Sequence, residues 1–158
     1  MARYYDAEPA VYELMDNVIH ERFPNLRPAS LKILMDNKPR IDKLTQRITF
    51  ASIKAANEVE KFLTKDGHHI GGFDYIMFIN ELVWELANVA DRKRIVSHEL
   101  RHAFMDEKGN YKVIKHDIED FHAEIKINED DPMWAQALGT IAMAKHDQMK
   151  AEAKATRF

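Results

Sequence analysis

The chain is 158 residues long, 46% hydrophobic and 31% charged, which is enough apolar material for one core and enough charge to coat it, so a single domain over 1–158 is expected. A net charge of −3 provides no overall basic field, so nucleic acid is not indicated as a partner. The absence of cysteine excludes disulfides, thiolate ligands and a cysteine nucleophile, and leaves His, Asp and Glu as the strong metal ligands.

No apolar leader opens the chain, and no run approaches the roughly 18 apolar residues of a membrane span, so a soluble cytoplasmic protein with no membrane partner is expected. Asp6 to Phe23 is expected to form a first helix, with Asp6 or Glu8 near its start, Pro9 in its first turn, and Val11, Leu14, Met15, Val18 and Ile19 on one face. Ser30 to Asp36 is a short apolar run and is expected to be a buried strand. Arg47 to Ala55, rich in β-branched and aromatic residues, is a second strand; Asn57 to Thr64 is a short helix or an excursion. Lys65 to Gly72 holds three glycines and is a loop, in which the adjacent His68 and His69 are expected to be solvated rather than ligating. Phe73 to Asn80 is a third, central strand, and Glu81 to Asn88 bridges it to the next helix, with Trp84 in the core.

That next helix is expected from Ala90 or Asp91 to Asp106, with Gly109 as its stop, and it carries His98-Glu99-Leu100-Arg101-His102. Residues four apart on a helix are neighbours, so His98 and His102 can offer two imidazoles to one zinc ion beside the carboxylate of Glu99. Random placement of this composition would produce the pattern roughly 0.03 times, so it is unlike an accident of histidine content. Val96, Leu100 and Ala103 form the core face; Ile95, His98, Glu99 and His102 form a second face, and Arg94 and Arg101 fill the solvent side. A catalytic zinc takes a third protein ligand. Met105 and Lys108 stand where the metzincin continuation needs Gly and His, so that ligand comes from elsewhere. Tyr111 to Ile114 is a brief extended segment. Asp117 to Ile127 is a second helix, with Ile118, Phe121 and Ile125 on its core face and His116 at its mouth.

His-Glu-Leu-Arg-His-Ala-Phe at 98–104, followed by His-Asp-Ile-Glu-Asp-Phe at 116–121, resembles the putative phage metallopeptidase family and is more distantly similar to SprT-like minimal zinc peptidases. The resemblance spans roughly residues 8 to 127. It implies a zinc-dependent peptidase acting on a protein or peptide substrate, in the cytoplasm of a host cell if phage-encoded. It further implies His98 and His102 as ligands, Glu99 as general base and His116 as the favoured third ligand, with Asp117, Asp120, Glu119 and Glu124 as the alternatives. In such a site Glu99 takes a proton from water and delivers it to the leaving amine, while Tyr75, Tyr111 and Arg101 are candidate oxyanion stabilisers. The competing reading is a catalytically silent or highly restricted metal-binding interaction protein, acting on a nucleic-acid-associated partner.

Glu129-Asp130-Asp131-Pro132 opens a C-terminal helix over 132–156, with Met133, Trp134, Ala137, Leu138, Ile141 and Ala142 as its apolar stripe and a charged second half that projects. The expected fold is α+β and zincin-like: a small mixed sheet of about three strands, an active-site helix, a second ligand-bearing helix and a long C-terminal helix.

Overall fold

The computed structural model describes residues 2–116 and 120–156. Its centre is a mixed sheet of four strands, β1 (Tyr4–Asp6), β2 (Leu31–Asp36), β3 (Ala51–Ala55) and β4 (Tyr75–Asn80), in the order β1-β2-β4-β3. β2 runs parallel to β4, whereas β1 and β3 are antiparallel to their neighbours. The near-continuous apolar run of β4 is what a strand covered on both faces requires: Tyr75, Met77 and Ile79 are fully buried. β3 is an edge strand, paired with β4 on one side only among the described residues.

The first helix, α1 (Pro9–Arg22), buries Val11, Met15, Val18 and Ile19, the expected face, and packs against α4 (Val89–Arg101). Between them lie two short helices, α2 (Glu58–Leu63) and α3 (Glu81–Leu86). Asn57 caps α2 in a full capping box with Glu60, and Asn80 caps α3 by accepting from the Val83 N–H. Gly72 has φ +76°, and a Cβ there would lie 1.9 Å from the Lys61 carbonyl oxygen, so the loop after α2 can fold back on it only with glycine at this position. After α4 come a hairpin of β5 (Ala103–Met105) and β6 (Tyr111–Val113), then α5 (His122–Ile127) and α6 (Trp134–Ala155).

Several boundaries differ from expectation, each for a physical reason. The sheet has a fourth strand because Tyr4–Asp6, adjoining the first helical run, pairs with the edge of β2. β3 begins at Ala51, and Ile48 instead makes an isolated bridge to Ile41. The motif helix is capped by Asn88, which accepts from the Asp91 N–H, and it ends at Arg101 rather than Asp106. Ala103–Met105 leaves the helix to pair with Tyr111–Val113 around a turn in which Gly109 has φ +80°. The Tyr75 hydroxyl, 2.9 Å from the carbonyl oxygens of both Phe104 and Lys112, ties that hairpin to the sheet.

Neither Arg94 nor Arg101 is a solvated residue. Arg94 is buried and pairs with Asp91 and Asp130, the latter at 3.0 Å, while Arg101 lies over the Phe23 ring. Asp130 is thus drawn to Arg94, and α6 starts at Trp134, two residues after the expected Pro132. Trp134, Leu138 and Ala142 dock, but Met133 and Ile141 are exposed. The described part of the second ligand helix is only His122–Ile127; Phe121 is buried as expected, Ile125 is exposed, and Asp117, Ile118 and Glu119 lie outside the described residues.

Candidate metal centre

α4 is held by its apolar face: Ile95, Val96 and Leu100 are buried under the sheet and α1. This fixes the adjoining flank, where His98 and His102 stand one turn apart with ring centroids 5.4 Å from each other. His102 is the C-cap, and the chain then turns through the β5–β6 hairpin and comes back alongside it. The Ile114 N–H donates to the His102 carbonyl at 2.7 Å, and His102 Nδ1 lies 2.6 Å from the Ile114 carbonyl oxygen. This double link places His116, two residues later, over the two helical histidines. His116 Nε2 is 2.8 Å from His98 Nε2, and the ligand atoms of the three imidazoles lie within 4.8 Å of one another.

Three neighbours orient these rings. His98 Nδ1 lies 2.8 Å from Asp120 Oδ1, so an Nδ1–H donates to the carboxylate and Nε2 keeps its lone pair. The Ile114 carbonyl fixes the same tautomer in His102. Phe121, which is buried, touches all three rings, with centroids 5.6, 4.9 and 5.1 Å from His98, His102 and His116. Burial, with help from the neighbouring imidazoles, pushes the His98 pKa below the ordinary histidine range against the pull of Asp120. Burial lowers that of His102 as well, against the hydrogen bond to Ile114. Neutral imidazole is the form that binds a metal.

Glu99 is 7% exposed, and burial pushes its carboxyl up to about 8. It shares a cleft of about 490 Å³ with the three histidines. One wall of the cleft is the β3 edge, from Phe50 to Ile53; the other is the returning segment Val113–Lys115, and Trp134 also lines it.

The structure therefore gathers His98, Glu99, His102 and His116. It gives Asp120 a different place from the one expected, since its carboxylate is bound to His98 Nδ1 and stands behind the imidazole. Glu124 is taken out of the ligand set: it is fully buried and paired with Arg101 at 3.1 Å. The alternatives Asp117 and Glu119 lie outside the described residues, and His69 pairs with Asp66 away from the cluster. Tyr75, Tyr111 and Arg101 do not line the cleft, so none is placed as an oxyanion stabiliser. Sequence reasoning missed the β3 wall, which lies more than 40 residues upstream of the motif and carries only a strand pattern, with no mark of an edge. It also missed the orienting function of Asp120 and Phe121, although both stand in the segment singled out. Asp120→Ala is expected to leave the fold intact and weaken zinc binding by roughly 10–100-fold, measured by competition with a chromogenic chelator.

Three imidazoles and a buried carboxylate converging in one cleft of an α+β domain define a candidate metal centre. Over residues 2–148 the chain matches the family described as "Putative phage metallopeptidase", and it belongs to that family. No curated protein and no solved structure matches it. Among the described residues no helix is long and apolar enough to cross a membrane.

Proposed function

We propose that the chain is a zinc-dependent peptidase in which His98, His102 and His116 hold the ion and Glu99 is the general base. The observation that carries this reading is the meeting of the three imidazoles, two of them hydrogen-bonded at Nδ1, beside the Glu99 carboxyl on the same helix. The donor set fits zinc, which favours three nitrogen ligands with one position open. When bound, zinc supplies Lewis acidity, making water acidic near neutral pH and polarising the scissile carbonyl.

The chain's own residues do the rest. Glu99 accepts a proton from the water as its oxygen adds to the carbonyl carbon, and returns that proton to the amine nitrogen as the C–N bond breaks. Asp120 and the Ile114 carbonyl keep the His98 and His102 rings in one tautomer and one orientation. Phe121 packs against the imidazole rings, and Trp134 lines the cleft as an apolar wall. The free edge of β3 borders the cleft, and a substrate in extended form can add to it as a further strand, with main-chain hydrogen bonds holding it beside Glu99.

Removal of metal tests the reading. Dialysis against a chelator is expected to abolish hydrolysis of unfolded casein, and one equivalent of zinc per chain to restore it. Stoichiometric zinc binding without any hydrolysis would favour the silent metal-binding protein instead.

A further inference from the structure

Phe50 and Ala135 line the catalytic cleft, and the same two residues line a second groove of about 750 Å³ between the segment 46–50 and α6. The two spaces therefore adjoin across Phe50 and Ala135.

The groove is built as a binding surface. Its floor is apolar, formed by Ile48, Phe50 and Met143, and methionine adapts its shape to varied side chains. Its rims are polar, with Gln46 and Arg47 on one side and Gln136 and Thr140 on the other, groups suited to the main chain of a polypeptide. Gly139 keeps it open. A Cβ at this position would lie 3.6 Å from the Phe50 ring, an ordinary contact, so a longer side chain there would occupy the groove without disturbing α6. The rim at Gln46 is also fixed in an unusual backbone state: φ is +56°, the one positive value among the described non-glycine residues. Asp42 holds it there, its carbonyl accepting from the Gln46 N–H at 2.8 Å and its carboxylate from the N–H groups of Leu44 and Thr45.

We infer that this groove is a substrate subsite, which takes the part of the polypeptide C-terminal to the scissile bond and selects extended chains with a bulky apolar residue there. The direction is that of antiparallel addition to β3, the slightly more stable pairing. A peptide added antiparallel to it has its N-terminal part beside Ala55 and its C-terminal part leaving over Phe50. The inference rests on the peptidase reading above.

The test uses the zinc-loaded full chain and two variants outside the catalytic machinery, Gly139→Leu and Gln136→Trp, each filling the groove from α6. Cut sites in casein are mapped first. A peptide spanning the preferred site is then compared with a version truncated two residues after the cut. For the wild type, the extended peptide should be hydrolysed at least tenfold more efficiently, the difference lying mainly in KM, with apolar residues enriched several positions after the cut. Both variants should lose that advantage and that enrichment while hydrolysing the truncated peptide at the wild-type rate. If extended and truncated peptides are hydrolysed equally by the wild type, or if the variants affect both to the same degree, the subsite is overturned and the peptidase reading stands. If the zinc-loaded wild type cuts no site in casein, the peptidase reading is overturned and the subsite with it.

Discussion

Glu99→Gln is expected to reduce peptide hydrolysis by about 10²–10⁴-fold while zinc still binds and thermal unfolding is unchanged. Glutamine matches the shape of glutamate, and the position is nearly closed to solvent, so the amide occupies the same space beside the histidines. It cannot accept and return a proton. Burial disfavours charge at this position, so the uncharged amide has no reason to weaken the fold. Three measurements on one preparation separate the contributions: zinc content, melting temperature and turnover of casein. A variant with full turnover would remove Glu99 from the chemistry. One that unfolds would show that the carboxylate holds the helix rather than serving the reaction.

Glu124→Ala is expected to have the largest effect on stability. Glu124 is fully buried, and its Oε2 accepts from Arg101 Nη2 at 3.1 Å. Neither its other oxygen nor Arg101 Nε has a hydrogen-bond partner among the described residues, so the two groups depend on each other. Truncating one leaves a guanidinium largely enclosed between Phe23 and α5, at a cost of roughly 3 kcal/mol. For a chain of this size that is a fall in melting temperature of roughly 6–12 °C, readable by calorimetry. The pair also has a bearing on the site. Arg101 ends α4 next to His102, while Glu124 lies on α5 just after Phe121, which packs against all three imidazoles, so the ion pair holds α5 against the end of α4 beside the site. Glu124→Ala should therefore weaken zinc binding as well, by less than removal of a ligand. An unchanged melting temperature would mean that Phe121 packing alone holds α5.

What the sequence disclosed depended on how local the signal was. The i, i+4 spacing of His98 and His102 is fixed by the geometry of one helix, and the apolar faces of α1 and β4 follow from period alone, so these were legible. The end of α4 was not. Residues 103–106 lack a breaker of their own, and their departure from the helix is decided by pairing with Tyr111–Val113 and by the Tyr75 hydroxyl, contacts 6 to 29 residues distant. Arg101 and Arg94 were misplaced for the same reason: helical phase puts them opposite the core, but Glu124 and Asp130 come from elsewhere to cover them. The difference between Asp120 as ligand and as partner to His98 Nδ1 is a matter of a few ångströms in space and leaves no trace in spacing. The same holds for Trp134, whose place in a helical stripe gives its burial but not its position in the wall of the cleft.

The central claim is that one zinc ion is held by His98, His102 and His116, with Asp120 standing behind His98. X-ray absorption on the zinc-loaded protein tests it most directly. The predicted first shell contains three imidazole nitrogens and one oxygen ligand at about 2.0–2.1 Å. Its imidazole count should be unchanged in Asp120→Ala and fall by one in His116→Ala. A shell of two imidazoles with a carboxylate, altered by Asp120→Ala and indifferent to His116→Ala, would contradict the account.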